Sequence, residues 1–398
     1  MDLILERDLN DIPNKQLYIF GNDNVDSLFL QVNNDKTPYE TLIIKRLNIT
    51  IKREDDENPG IKYSLVSNTS KLFYAILELK IENIKIDNPD YSIRFKKDFV
   101  ENVINYIDCI YNNRTLQRYD MNALKIFFNF FDKTITKKEY FKFLGRNVSQ
   151  EYSNELKETK ISVRLPFFFS YNTTNSFPHH FTPKEEIFFE LNMNHDILSI
   201  IDIIDKDGNE INSLEDIKIN ISRVKEPDIV NLYCSVTEAE KSFPIPTVCR
   251  FKNLSQITIF TDEDSVKGTS YFNFSFDKEC SALFFVGPKN SISTISCWTL
   301  DSKGNKVYRC DKITYELNSS IIKPVFLKKK IFEKKKFIVI PFSCHMALSD
   351  LGSVIKLDKY RFDIVMKKGF DVIKDIKVYA YFSDSYNIIK SGNTFSII

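Results

Sequence analysis

Alternating apolar and polar positions are the dominant pattern along the chain. In "KISVRL", Ile161, Val163 and Leu165 alternate with polar residues. Period-two alternation places one face of a strand in a core and the other face toward water. Because turn residues separate such segments, the pattern favours an antiparallel β-sandwich. The clearest alternating segments are residues 47–54, 160–165, 217–222, 271–277 and 360–366.

One region departs from this pattern. From Asp98 to about Gly145 the apolar spacing becomes that of helices, and Gly145 is a plausible helix end. The spacing predicts a helical insertion around residues 98–158 within an otherwise all-β first domain. One helix face would carry Phe99, Val103, Ile107 and Ile110 or Tyr111, and the next would carry Met121, Leu124, Phe128 and Phe131.

A domain boundary is expected near residues 222–228. The segment "SRVKEPD" there is charged, contains Pro227 and follows an alternating strand. It divides the chain into residues 1–222 and 223–398, and each part is long enough for one eight-stranded sandwich. No sequence repeat relates the two parts.

The composition argues against several classes of function. Lys and Arg number 55 against 54 acidic residues, a net charge of +1, which disfavours a dedicated nucleic-acid-binding protein. Glycine occurs only 10 times, and neither G-x-G-x-x-G nor G-x-x-x-x-G-K is present. We expect no transmembrane helix, because no run of about 18 uncharged apolar residues occurs. The start, "MDLILERDLNDIP", does not have the pattern of a secretory signal.

The cysteines are expected to be buried free thiols in a reducing compartment. Their number is odd and their spacing scattered, and there is no C-x-x-C. Zinc ligands or a disulfide framework are the alternatives. The seven are Cys109, Cys234, Cys249, Cys280, Cys297, Cys310 and Cys344.

No motif predicts catalysis, a cofactor or a metal. His179 and His180 are adjacent, and adjacent residues of a strand point to opposite faces, so they are expected to be polar loop or interface residues. The acidic clusters 53–58 and 261–265 lack calcium-loop spacing and are expected to be solvated turns. No G-x-S-x-G or Cys–His constellation stands out, so an enzyme is not expected.

The segment "KKKIFEKKK" is the only strong basic run. It could contact anionic lipid, nucleic acid or an acidic partner surface. Alternatively, its lysines protect a loop or an edge strand from association. The lysines are Lys328, Lys329, Lys330, Lys334, Lys335 and Lys336.

The segment "VRLPFFFSYNTTNSFPHHF", residues 163–181, resembles a motif of the major capsid proteins of nucleocytoplasmic large DNA viruses and related double jelly-roll viruses. Those proteins carry L-P-F-F-F, a short polar loop and a second proline element. Pro178 occupies the second element here. The first element is matched by Leu165, Pro166, Phe167, Phe168 and Phe169.

Further matches to the same family follow in order. Glu240 and Lys241 stand in the E-R place of "LYCSVTEAEKSF", and Asn273 and Phe274 match within "YFNFSFDKECSALFFVGP". The resemblance covers residues 165–398, although Asp277 and Lys278 replace the family's H-P. The C-terminal segment 378–398 matches at Tyr379, Asn387, Ser391 and Gly392, among others.

The resemblance implies an all-β fold of two consecutive eight-stranded antiparallel jelly rolls, a double jelly roll. It implies a homotrimer that forms a pseudo-hexameric capsomer of an icosahedral shell, with minor capsid and penton proteins as partners and an internal membrane as a further contact. The location implied is the virion, assembled in the host cytoplasm or nucleus. At least one of Phe167 to Phe169 is expected in a strand core and the others at the junction between jelly rolls or toward the trimer centre, and a strand buried on both faces would accommodate all three. A scaffold protein of immature virions and a carbohydrate-binding β-sandwich lectin are the alternatives.

Overall fold

The structure is a computed structural model that describes residues 50–52, 60–64, 71–81, 83–86, 88–111, 114–170, 187–194, 196–211, 229–235, 248–261, 271–326, 331–343, 355–391 and 394–397. Strands dominate these residues, and every strand pairing among them is antiparallel. The all-β fold class is therefore confirmed. Of the alternating segments, 160–165, 271–277 and 360–366 each contain a strand, and 217–222 lies outside the described residues.

The strands up to residue 235 form what we call the first half. Its main sheets have the orders β1-β2-β10-β6-β7 and β12-β3-β9, and two small sheets pair β11 with β5 and β4 with β8. The strands are β1 (Thr50–Lys52), β2 (Gly60–Ser64), β3 (Lys71–Ile81), β4 (Ile84–Lys85), β5 (Tyr91–Phe95), β6 (Ile104–Tyr111), β7 (Arg114–Asp120), β8 (Glu155–Leu156), β9 (Thr159–Leu165), β10 (Ile187–Met193), β11 (Ile201–Asp205) and β12 (Ile229–Ser235).

The strands from residue 248 onward form the second half. One sheet has the order β13-β21-β16-β19 with β22 paired to β21, and the other has the order β14-β15-β20-β17-β18. The strands are β13 (Val248–Ile257), β14 (Ile259–Thr261), β15 (Tyr271–Phe274), β16 (Cys280–Val286), β17 (Ile292–Leu300), β18 (Lys306–Ile313), β19 (Phe337–Pro341), β20 (Arg361–Met366), β21 (Lys377–Ser391) and β22 (Thr394–Ile397).

Short helices connect these strands. Asp120 caps one of them by accepting a hydrogen bond from the Ala123 N–H, and Thr136 forms a capping box with Glu139 at another. Gly145 ends that second helix at a φ of +82°, and a Cβ there would overlap the Phe99 ring, so both φ and space favour glycine. The helices are α1 (Val100–Val103), α2 (Met121–Ile126, continued by a π-helical turn, Phe127–Phe131), α3 (Lys137–Phe143), α4 (Tyr315–Phe326) and α5 (Val372–Asp375).

The predicted helical face through Ile107 is wrong, because β6 and β7 occupy residues 104–111 and 114–120. The apolar residues there are four apart, and four is an even step, so a strand also places them on one face. Most of β6 is buried on both faces, which removes the polar alternation that would have marked it as a strand. The second predicted face, with Met121 and Phe128, does lie in α2 and its π-helical turn.

Two hydrophobic cores hold the molecule together. One lies between the two sheets of the second half and includes Phe274, Phe285 and Phe362. The other fills the first half and continues into the second half, where it includes Phe284 and Tyr381. The halves are therefore joined by a shared core rather than by a surface contact alone.

Candidate functional site: the junction between the two halves

The L-P-F-F-F segment lies at the junction between the first and second halves. β9 ends at Leu165, and Phe168 begins a single 3₁₀ turn, Phe168–Ser170. Three successive side chains cannot share one face of a strand, and the expected solution was a strand buried on both faces. The turn is the actual solution, since it sends the side chains in different directions, and Leu165, Pro166, Phe167, Phe168 and Phe169 are all buried.

The three phenylalanines divide between the halves. The Phe167 ring stacks on Phe189 of β10 with centroids 5.3 Å apart, so it is a core residue of the first half. The Phe168 ring instead packs on Phe251 of β13, at 5.1 Å. One phenylalanine thus fills the core of the first half, and another reaches the junction between the halves.

Gln117 of β7 joins the same elements by hydrogen bonds. Its side-chain oxygen accepts from the Phe168 N–H at 2.7 Å. Its side-chain nitrogen donates to the Lys252 carbonyl at 3.1 Å and to the Tyr119 hydroxyl at 3.2 Å. Since Gln117 is 1 % exposed, these partners replace the water that its amide would otherwise bind.

The π-helical turn after α2 contributes an aromatic contact between the halves. The Phe131 ring stacks on Tyr381 of β21, with centroids 4.6 Å apart. The neighbouring Phe130 meets Phe284 of β16 edge-on at 5.1 Å and Phe337 of β19 at 5.5 Å. Such pairs add stabilisation beyond the apolar area that they bury.

Two further hydrogen bonds cross the junction. The Tyr379 hydroxyl donates to the Asp120 carboxylate, and the Asn253 side chain donates to the Leu116 carbonyl at 3.1 Å. Burial raises the pKa of Tyr379, and the charge of Asp120 raises it further, so the phenol stays protonated and keeps its donor.

A polar group that we call the Glu333 cluster joins the basic run to the first half. It consists of Glu333, Arg146, Tyr140, Asn129 and Lys336. The Glu333 carboxylate accepts from the Tyr140 hydroxyl at 2.7 Å and from Arg146 at 2.9 Å, and Lys336 lies 3.4 Å away. The Asn129 side-chain oxygen accepts from the Glu333 N–H at 3.3 Å, and its nitrogen donates to the Tyr140 hydroxyl at 3.0 Å.

The charge of Glu333 is stabilised by its neighbours. Burial opposes ionisation, but the Tyr140 hydroxyl and the surrounding cations, Lys336 among them, outweigh it and hold the pKa of Glu333 below its usual range. The pKa of Tyr140 is raised, first by burial and then by the Glu333 charge. The cluster therefore contains an ionised acid that is 8 % exposed and fully partnered.

The basic run is only partly described. Lys334, Lys335 and Lys336 form a 3₁₀ turn in which the first two are exposed and Lys336 belongs to the Glu333 cluster. The remaining lysines of the run, Lys328, Lys329 and Lys330, lie outside the described residues.

A cleft of about 620 Å³ opens between the halves. Two of its cationic lining residues are held in ion pairs: Arg118 lies 2.6 Å from Asp108, and Lys278 lies 2.8 Å from Asp384. The lining therefore carries charges of both signs, some of them held in ion pairs.

The other motif residues are spread over the second half. Asn273 and Phe274 lie on β15, with Phe274 in the second core, and Tyr379 is at the junction. In the strand ladders Asn387 is opposite Val248 and Ser391 is opposite Thr394. The motif residues that the structure describes therefore do not lie together in one site. Outside the described residues lie Pro178, Glu240, Gly392, His179 and His180.

Within the described ranges, no three His, Cys, Asp or Glu side chains are grouped so that they could hold a metal ion. No helix among the described residues is long and apolar enough to cross a membrane.

Sequence reasoning missed Gln117, Asn129 and Glu333. Two of them carry a visible signal, because each is a lone polar residue within a distinctive run. Asn129 interrupts "FFNFF", and Glu333 is the only acid in "KKKIFEKKK". Lone polar residues of this kind are candidates for buried hydrogen-bonding roles.

No protein-family model matches the chain, and no curated protein matches it in sequence. Solved structures do match its fold. A chain of the PBCV-1 virus capsid matches with a TM-score of 0.61 and 10 % identity, over 92 % of this chain and 98 % of that one. PBCV-1 VP54, fitted into a reconstruction of the virophage Sputnik, gives 0.61 and 8 % over the same shares.

The Faustovirus major capsid protein also matches, with a TM-score of 0.61 and 6 % identity over 89 % of this chain and 92 % of that one. At such identities the likeness concerns the fold. It confirms the predicted resemblance to double jelly-roll major capsid proteins at the level of the fold.

Proposed function

We propose that the protein is a viral major capsid protein, three copies of which form a pseudo-hexameric capsomer of an icosahedral shell. The observation that carries the proposal is the fold likeness to a PBCV-1 capsid chain, which covers 92 % of this chain and 98 % of that one. The likeness therefore extends over nearly all of both chains.

The strand order supports two jelly rolls. If the short strand β14 and the last strand β22 are left out, eight strands of the second half remain, namely β13 and β15 to β21. When these are numbered one to eight along the chain, one sheet has the order 1-8-3-6 and the other has the order 2-7-4-5. The pairs 1-8, 2-7, 3-6 and 4-5 are those of a long hairpin that is rolled into a sandwich, which is the jelly-roll arrangement.

The first half has the same order with one position missing. If β2, β3, β6, β7, β9, β10 and β12 are numbered two to eight, the sheets are 2-7-4-5 and 8-3-6. Position one has no counterpart among the described residues. Because β12 pairs with β3 over residues 229–235, we propose that the domain boundary follows residue 235 rather than residue 222.

The junction supports the proposed task. A capsomer needs its two sandwiches at a fixed angle, since adjacent tiles meet only if every tile has the same outline. A shared core, the Gln117 hydrogen bonds and the Glu333 cluster all restrain that angle.

The native mass tests the proposal. Purified protein is analysed by light scattering after size exclusion, with negative-stain images of the same peak. We expect a species of about 140 kDa, three times the 46.6-kDa chain, with hexagonal outlines. A monomer that remains monomeric at high concentration and binds glycans would contradict the proposal and favour the lectin.

Further assembly separates a shell protein from a scaffold protein of immature virions. Closed icosahedral particles are expected of the shell protein, and open curved lattices that later disassemble are expected of the scaffold. Minor capsid and penton proteins, and a location in the virion, are part of the same proposal.

We also propose that the exposed part of the basic run contacts an anionic internal membrane. Lys334 and Lys335 are exposed and share a 3₁₀ turn with Lys336 of the Glu333 cluster. Replacing both by Gln is expected to weaken binding to phosphatidylserine vesicles and to leave trimers intact. The matched control replaces Lys367 and Lys368, which are also adjacent and exposed. Equal vesicle binding by both variants, or loss of trimers, would refute the membrane assignment.

A further inference from the structure

Two cysteines face each other on the hairpin of β17 and β18. Cys297 of β17 is directly opposite Cys310 of β18 in the antiparallel ladder. Opposed residues of an antiparallel pair have Cα atoms about 4.5–5.5 Å apart, and disulfides need about 4.4–6.8 Å. The backbone therefore already holds the two residues at a spacing that a disulfide can bridge.

The two thiols also interact. The Cys297 and Cys310 side chains are hydrogen-bonded to each other, and this contact holds the pKa of Cys310 below its usual range. The pKa of Cys297 is raised by the same bond and by burial. Cys310 is half-buried and Cys297 is fully buried, so the more acidic thiol is also the one that solvent can reach.

The lone buried cysteines of the described residues differ from this pair. Burial raises the pKa of Cys109, and burial raises the pKa of Cys280 to about 12. Neither has another cysteine opposite it, since Cys109 pairs with Gln117 and Phe189, and Cys280 pairs with Phe382. Their thiols are therefore expected to stay protonated and slow to oxidise.

We propose that Cys297 and Cys310 are an oxidative modification site that forms an intramolecular disulfide when the protein meets a peroxide. The Cys310 thiolate attacks the peroxide O–O bond, which yields a sulfenic acid and, after protonation, one molecule of water or alcohol. The Cys297 sulfur then attacks the Cys310 sulfur, and the sulfenic oxygen leaves as water with the Cys297 proton. The peroxide gains the two electrons that the thiols lose, and an added dithiol reduces the disulfide back to two thiols while it is itself oxidised to a disulfide.

The disulfide would link an irregular part of the hairpin. The ladder between β17 and β18 changes register on both sides of the cysteine pair, so the backbone pairing there is irregular. β18 is also an edge strand, and all of its side chains except the last are exposed or half-buried. A covalent link would keep this edge strand attached under oxidising conditions.

The test uses the full chain, purified with reductant and then desalted. One equivalent of hydrogen peroxide is added, free thiols are alkylated, and peptides are identified by mass spectrometry. We expect a peptide pair linked through Cys297 and Cys310, formed before any other cysteine is modified and removed by dithiothreitol. The oxidised protein is expected to melt a few degrees higher than the reduced protein.

Variants make the outcome decisive. Cys310→Ser is expected to prevent both the linked peptides and the rise in melting temperature, whereas the control Cys280→Ala keeps both. The proposal is overturned if the wild-type pair remains reduced after other cysteines have reacted. It is equally overturned if Cys310 is recovered as sulfinic acid or linked to a cysteine other than Cys297.

Discussion

Gln117 is the residue at which the junction can be weakened without creating a cavity. Gln117→Met keeps the length and nearly the volume of the side chain but removes its hydrogen-bonding atoms. The buried Phe168 N–H then loses its 2.7 Å acceptor, and the Lys252 carbonyl loses its 3.1 Å donor. Removing the partner of a buried group costs about 1–3 kcal/mol, so loss of both bonds should lower the free energy of unfolding by about 2–6 kcal/mol.

The assay is urea unfolding followed by circular dichroism, with the midpoint and the slope measured for each variant. Gln256→Met is the matched control, because Gln256 is an exposed glutamine on β13 of the same junction. The control is expected to change the free energy by less than about 0.5 kcal/mol. If Gln117→Met falls within the same limit, the hydrogen bonds do not stabilise the junction and the reasoning is refuted.

Three further predictions concern single residues. Phe168→Ala should lower the free energy of unfolding by about 3–5 kcal/mol, and the exposed Phe370→Ala by less than about 0.5 kcal/mol, in the same urea assay. Glu333 stabilises the fold fully above the ordinary glutamate pKa of about 4.3 and loses that effect as pH falls through its lowered pKa. Glu333→Gln should therefore lower the free energy of unfolding at pH 7 by about 2–4 kcal/mol. It should also make the melting temperature depend less on pH between pH 6 and about 3, and an unchanged pH dependence over that range would contradict this. Gly145→Ala should lower the free energy of unfolding by more than about 2 kcal/mol, because its Cβ would overlap the Phe99 ring. Gly304 also has a positive φ but has no neighbour near its Cβ, so Gly304→Ala should lower it by about 1 kcal/mol. Equal losses of stability in the two variants would show that the overlap with Phe99 has no effect.

Local pattern was sufficient where a strand has one buried face. β9, β15 and β20 were predicted from alternation, because water on one side of a sheet requires polar residues at every second position. The same reasoning failed at β6, which is buried on both sides and carries no alternation. There the apolar spacing of four fits a helix and a strand equally well, and only the neighbouring strands β10 and β7 decide between them.

The candidate site was recognisable only in part. The L-P-F-F-F segment is unusual enough to be noticed, and the division of its phenylalanines between a core and a junction was implied only by the family resemblance. Gln117 gave no signal, since its partners Phe168 and Lys252 are 51 and 135 residues away in the chain. Cys297 and Cys310 were likewise assigned to scattered thiols, because their spacing matters only after the hairpin places them opposite each other.

By itself the sequence determined the all-β class, the identity of several strands and the family resemblance of the fold. These properties depend on side-chain periodicity and on motifs read within about twenty residues. The tertiary structure alone decided the sheet orders, the position of β12 in the first half and the contacts that hold the two halves together. Those features depend on which distant segments meet, and a chain's local pattern specifies which face is apolar but not which apolar face it will contact.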